Sequence, residues 1–159
     1  MRQEQRGFSL IELLIVVAII LVIAAIAIPS FMHARMSANE SSAAASLRAI
    51  NTAELTYATT YPTVGYTALP SLGGAQPCTP AAATACILDD FLATNGGGLG
   101  KDGYSFTLQT AASLTGFGTL AAPLTLNQSG TRAFCSDQTS AIYYNLGAST
   151  CDSTASPLQ

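Results

Sequence analysis

Residues Gly7–Pro29 read GFSLIELLIVVAIILVIAAIAIP, and the rest of the chain is organised around them. Between Phe8 and Ile28 the only ionisable side chain is Glu12, and the only other polar one is Ser9. At about 1.5 Å rise per residue, a helix of this length covers roughly 30 Å, the thickness of a bilayer's hydrocarbon core. No Gly interrupts the run after Gly7, so as a helix it satisfies its own backbone in lipid. A carboxylate this far inside costs at least a few kcal/mol at depth, which marks Glu12 as a functional residue needing a partner. The natural partner is an amino group. One arises if the chain is cut between Gly7 and Phe8.

The charged leader MRQEQRG, then Phe8, Glu12 in an unbroken apolar helix, and Pro29 together resemble the class III signal of type IV pilins and type II secretion pseudopilins. The resemblance is close up to Pro29 and looser beyond it. It implies that a prepilin peptidase cleaves after Gly7 and N-methylates Phe8. It also implies that Glu12 meets the new Phe8 amine of a neighbouring copy during assembly of a helical homo-oligomeric filament. The physics agrees independently of the family. A carboxylate and an ammonium are each costly in lipid, and a pair is much less so. Pairing across copies also sets axial register, which two apolar helices sliding on each other lack.

Two other readings of the segment compete. An ordinary secretory signal has an apolar core of about 7–15 residues and an A-x-A-like cleavage site, which Ala25-Ile26-Ala27 satisfies. Here the run is too long, Glu12 lies inside it, and Pro29 follows closely. A permanent single-span anchor is the stronger rival, but it has no use for Gly7 beside Phe8.

The chain has 159 residues, 49% hydrophobic and only 9% charged, which suits a membrane segment joined to a small polar head. Its net charge is −3, and loss of Arg2, Glu4 and Arg6 with the leader takes it to −4, so no direct nucleic-acid binding is expected of the monomer. Arg2 and Arg6 precede the apolar run, which puts the leader in the cytoplasm and the remainder outside. Four Cys in an exported head agree with disulfides in an oxidising compartment.

After Pro29 the helical pattern continues to Tyr61, with no Gly or Pro until Pro62 closes it. Ala43, Leu47, Ile50, Ala53, Tyr57 and Tyr61 form an apolar stripe able to receive a sheet, with Arg35, Glu40, Arg48 and Glu54 mostly off it. A bend is expected at Pro29, where an intrahelical hydrogen bond is lost. From Pro62 to Gly103 a long Pro-, Gly-, Thr- and Ala-rich loop follows, with a short helical turn in CILDDFLA. Tyr104, Phe106 and Leu108 alternate with Ser105, Thr107 and Gln109 as a half-buried strand. Leu114–Leu120 alternates more weakly, and Thr131–Ser136 with Ala141–Asn145 read as a hairpin across SDQTS. Four cysteines allow three pairings; sequence proximity favours Cys78–Cys86 with Cys135–Cys151. Pilins commonly bound their C-terminal region with a disulfide, and a crosslink of the Cys135–Cys151 span stabilises by roughly 3 kcal/mol on the chain-entropy model.

Enzymatic chemistry finds few parts. His33 is the only histidine and sits near the membrane boundary without a Cys or Ser partner at a telling spacing. The Cys spacings are too wide for a zinc site. Gly98-Leu99-Gly100-Lys101-Asp102-Gly103 matches G-x-G-x-x-G, but a loop precedes it and a strand follows, the reverse of a dinucleotide fingerprint. Asp89, Asp90, Asn95 and Asp102 are oxygen donors around one loop. Pseudopilins often hold calcium, so calcium is the one metal the resemblance raises, against the plainer reading of solvated loop carboxylates. Phe8, Phe31, Tyr57 and Tyr61 fit membrane and core packing better than electron conduction.

The expectation is an α+β, pilin-like fold: a long N-terminal helix packed by its second half on an antiparallel sheet of about four strands. Residues 1–7 form a cleaved leader, 8–29 a membrane and filament-core helix, and 30–159 an extracytoplasmic head. The function expected is a structural subunit of a type IV pilus, not an enzyme and without cofactors. A pseudopilin, a minor pilin and a membrane-tethered periplasmic binding domain are the alternatives. Partners implied by the resemblance are the prepilin peptidase, an inner-membrane assembly platform with its ATPase, membrane lipid, and other copies of the chain.

Overall fold

A computed structural model describes residues 8–110, 112–152 and 154–158. The leader 1–7, including Gly7, lies outside them. The chain divides into two units, Met1–Arg35 and Met36–Gln159. Helix α1, Leu10–Thr60, contributes to both and contains Pro29. The N-terminal unit consists, where described, of the apolar part of α1, none of whose side chains is buried.

In the C-terminal unit α1 is amphipathic for a physical reason visible in its spacing. Its buried residues, Glu40, Ala43, Ala44, Ser46, Leu47, Ile50, Asn51, Ala53, Glu54 and Tyr57, recur every three or four positions and so line one face. That face meets a five-stranded antiparallel meander, β1 (Tyr104–Thr110), β2 (Gly118–Pro123), β3 (Arg132–Asp137), β4 (Ile142–Leu146) and β5 (Ser156–Pro157), in that spatial order. Between helix and sheet lies the main core. Leu47, Ile50 and Tyr57 pack there with Leu69, Leu72, Leu92, Tyr104, Phe106, Ala121, Phe134 and Ile142. The sheet alternates as a pleat must: Phe134 points to α1, while Ala133 and Cys135 point away and pack with Cys151, Leu120, Tyr143 and Ala155. The Cys135–Cys151 disulfide thus lays the C-terminal loop over the outer face of the sheet. Cys78–Cys86 closes a small ring in the connecting loop.

That loop carries two one-turn helices, α2 (Leu69–Leu72) and α3 (Asp90–Ala93), whose Leu69, Leu72 and Leu92 plug the core. The expected turn in CILDDFLA is α3, begun by Asp89, whose carboxylate accepts from the Leu92 N–H at 3.3 Å.

Three sequence expectations shift. The second strand is Gly118–Pro123 rather than Leu114–Leu120, because Ser113–Gly116 is spent on a turn in which the Ser113 N–H donates to Gly116 O at 3.0 Å. The sheet has a fifth, two-residue strand, pairing Ser156 with Tyr144 and Pro157 with Tyr143. Glu40 and Glu54, expected on the polar side of α1, are buried at 5% and 0% exposure.

Glu40 explains its own burial. Its carboxylate accepts from the N–H and O–H of Thr131 at 2.7 and 2.8 Å, and pairs with the Arg132 guanidinium at 2.7 Å. Burial opposes its charge, but these hydrogen bonds and the Arg132 cation outweigh it and hold the carboxyl below its usual range. The cluster pins the start of β3 to α1. Arg132 also lies over the Phe134 and Tyr144 rings, at 5.7 and 5.5 Å. Because the folded pKa is depressed, this contribution is present above the ordinary carboxylate range and is lost as pH falls through and below it. Glu40→Ala should therefore destabilise the head by about 1–3 kcal/mol at neutral pH, discounted for the partly exposed Arg132. It should also flatten the acid limb of a melting-temperature profile. An unchanged melting temperature would show that the cluster contributes no stability.

Candidate assembly site

The residues that matter in the N-terminal unit are set by where α1 begins. Ser9 precedes the first helical residue, and its carbonyl accepts from the Glu12 and Leu13 N–H groups at 3.1 and 3.2 Å. Glu12 therefore stands in the first turn, where the helix's unpaired N–H groups and positive dipole end favour an anion. Phe8 and Ser9 lie just outside that turn, so an amine created at Phe8 would sit at the same positive end. It would be disfavoured there unless a carboxylate came near.

Nothing among the described residues supplies that relationship otherwise. Their ion pairs are Lys101–Asp102 and Arg132–Glu40, and neither involves Glu12. Around Glu12 the surface is apolar and exposed: Leu10 at 80%, Ile11, Leu13, Leu14, and on through Ile28. By length and composition this part of α1 suffices to cross a membrane. Pro29 lies within the helix, so its missing N–H leaves the Ala25 carbonyl without the usual intrahelical donor.

Other candidates from the sequence do not converge. His33 is exposed on α1. Tyr57 and Tyr61 stack at 4.8 Å, and the Tyr57 hydroxyl is committed to Ala82 O at 2.7 Å. The G-x-G-x-x-G stretch is turn chemistry. Gly98, Gly100 and Gly103 all have positive φ, and at Gly103 a Cβ would crowd Ser129 and Asn39. Three of the four loop side chains have separate work. Asp89 caps α3, Asn95 Oδ1 accepts from the Phe106 N–H at 2.7 Å, and Asp102 accepts from the Ser42 hydroxyl at 2.6 Å. Asp90 sits on the first turn of α3. Among the described residues, no group of three or more His, Cys, Asp or Glu gathers to hold a metal ion.

A long helix with a bare apolar first half and one carboxylate in its first turn, followed by an α+β unit, is the architecture expected from the sequence. A family model described as the prokaryotic N-terminal methylation motif matches residues 2–28. Over 54 residues the chain is 50% identical to the type IV major pilin protein PilA of Myxococcus xanthus (strain DK1622). That match covers 34% of this chain and 24% of the relative, so the chain spans well under two thirds of the protein it resembles. No solved structure matches. By motif and relative, the chain is similar to type IV pilins over about a third of its length.

Since Asp89, Asn95 and Asp102 are engaged separately, adding millimolar calcium or a chelator should leave the melting temperature of the purified protein unchanged. A calcium-dependent rise of several degrees would mean that these loops rearrange around an ion.

Proposed function

We propose that the chain is a structural subunit of a type IV pilus, made as an inner-membrane prepilin with its 1–7 leader in the cytoplasm. Cleavage between Gly7 and Phe8, with N-methylation of Phe8, creates the cation that Glu12 of a neighbouring copy receives. The 8–29 segment is first stored in lipid and then moves into a helical filament, drawn by an inner-membrane platform and its ATPase. The 30–159 head faces outward. One observation carries the reading: a lone carboxylate, Glu12, in the first turn of a helix half that has no buried side chain.

The energetics suit this route. Apolar side chains gain about as much from lipid as from one another, so transfer from bilayer to filament strands no greasy surface in water. Pro29 removes one backbone hydrogen bond and so lowers the cost of local bending or unwinding as helices pack. Similarity to a major pilin favours a surface fibre over a short periplasmic pseudopilus.

Glu12→Val should insert and be processed normally yet sharply lose incorporation into sheared fibres, read by immunoblot of shear and membrane fractions. Wild-type fibres built from the variant alone would remove the role given to Glu12. Gly7→Val should accumulate full-length precursor in the membrane, with an intact mass that still includes the whole leader. A mature N-terminus at methylated Phe8 in that variant would remove the role given to Gly7, and a wild-type chain that keeps its leader would discredit the peptidase step.

A further inference from the structure

A second carboxylate lies where no cation answers it. Glu54 has no exposed surface, and its Oε2 accepts from the Thr67 N–H at 3.0 Å while Oε1 has no partner. Three positions earlier on the same helix face, Asn51 Nδ2 donates to Ser136 Oγ at 2.6 Å, and Asn51 Oδ1 is again without a partner. Ser136 gives its own proton to Ala141 O at 2.9 Å, so it can only accept from Asn51, which fixes the amide's orientation. Thr119 pairs with Ser136 across β2 and β3, on the same face of the sheet, and its buried Oγ1 is the third unpartnered atom. Asn51 Oδ1 and Glu54 Oε1 are thus buried acceptors without a donor, and the Thr119 hydroxyl bonds to neither. A buried carboxylate left in this state is costly, and a proton on Glu54 Oε1 removes the charge that makes it so.

We propose that Glu54 is a proton-operated latch: in the folded head its unpartnered, fully buried Oε1 carries a proton, and loss of that proton to water loosens the Thr67 segment from α1. Beside Thr67 the Tyr66 N–H donates to Ser113 O at 3.0 Å and the Tyr66 ring meets Phe117 at 5.0 Å. Further along, Leu69 and Leu72 enter the core, and the Ser71 and Leu72 carbonyls accept from Ala85, Ile87 and Leu88 N–H groups at 2.7–2.9 Å, so the loosening is confined to the residues around Thr67.

The charges around the site leave Glu54 alone. On its own helix Arg48 is exposed, and Tyr57 and Tyr61 are the titratable neighbours toward its end. On the latched segment the titratable neighbour is Tyr66. On β3 Asp137 caps its own turn through the Thr139 N–H at 2.9 Å, and β4 offers Tyr143 and Tyr144. Neither ion pair of the described residues includes Glu54. Burial accordingly pushes its carboxyl up to about 7, with the Thr67 N–H opposing. Because the folded value is the higher one, the stabilisation is complete below about pH 4.5 and is lost as pH rises through about 7. This is the opposite sense to Glu40, and it occupies a separate, higher pH window.

The test uses the full chain in detergent micelles with uniformly 13C,15N-labelled protein, the Glu54 carboxyl resonance assigned by through-bond correlation to its own backbone amide. Glu54 should titrate near pH 7, and protection of the Thr67 amide from exchange, corrected for intrinsic rate, should fall through the same range. In Glu54→Gln, whose amide imitates the protonated acid, Thr67 protection should stay level with pH and the melting temperature above pH 8 should exceed wild type. A Glu54 carboxyl titrating in the ordinary carboxylate range, or Thr67 protection indifferent to its titration, would overturn the latch. The wild-type titration decides this even if the variant fails to fold.

Discussion

The constraint on which the rest depends is that α1 is longer than anything the chain provides to cover it. Its buried positions begin at Glu40, and before that the Leu, Ile and Val side chains stand exposed. A continuous apolar surface of that size cannot remain in water, so it demands lipid or other helices of its kind. Those two environments are nearly equivalent for the aliphatic side chains but not for Glu12. On the proposed function, the carboxylate has no partner in lipid, whereas among processed copies each chain end would offer one. The charge that makes storage costly would then give assembly its direction and register.

The C-terminal unit solves a different problem with the same helix. There α1 meets a sheet whose inward positions are graded in size. Thr119 and Ala121 are small, with the large Tyr104, Phe106 and Phe134 beside them. Polar contacts then fix the docking at both ends of the interface. Glu40 holds Thr131 and Arg132 at the start of β3, and Asn51 holds Ser136 near its end. The two glutamates of this face behave oppositely because one has a cation and the other has none. Glu40 keeps its charge below the ordinary range, while burial lifts Glu54 to about 7.

What the sequence reveals follows the range of each signal. The apolar start of the helix, its end before Pro62, the alternation in β1 and the β3–β4 hairpin are written in neighbouring residues, and the structure agrees within a residue or so on these elements. Strand β2 is hidden because GTLAAP carries little branched or aromatic content, and the preceding Leu114 draws the eye instead. Glu40 and Glu54 are misread as solvent-facing because charge outweighs spacing in a local reading, though both continue the three-and-four pattern through Leu47, Ile50 and Tyr57. Glu40's partners lie 91 and 92 residues away, and no local pattern announces them. The tail pairing of Ser156 and Pro157 on β4 is legible only once the Cys135–Cys151 crosslink has folded the chain back. Glu12 is the converse case. Its oddity is visible at once, while the partner proposed for it belongs to a different copy.

The most direct measurement is a helical reconstruction of fibres sheared from cells that make this chain, at a resolution that shows side chains. The account predicts that chains begin at Phe8 and that the Glu12 carboxylate of one copy lies within roughly 4 Å of the Phe8 nitrogen of the next, an ion pair by distance. Fibres in which Glu12 faces solvent or its own chain end, or in which residues 1–7 are still attached, would contradict it.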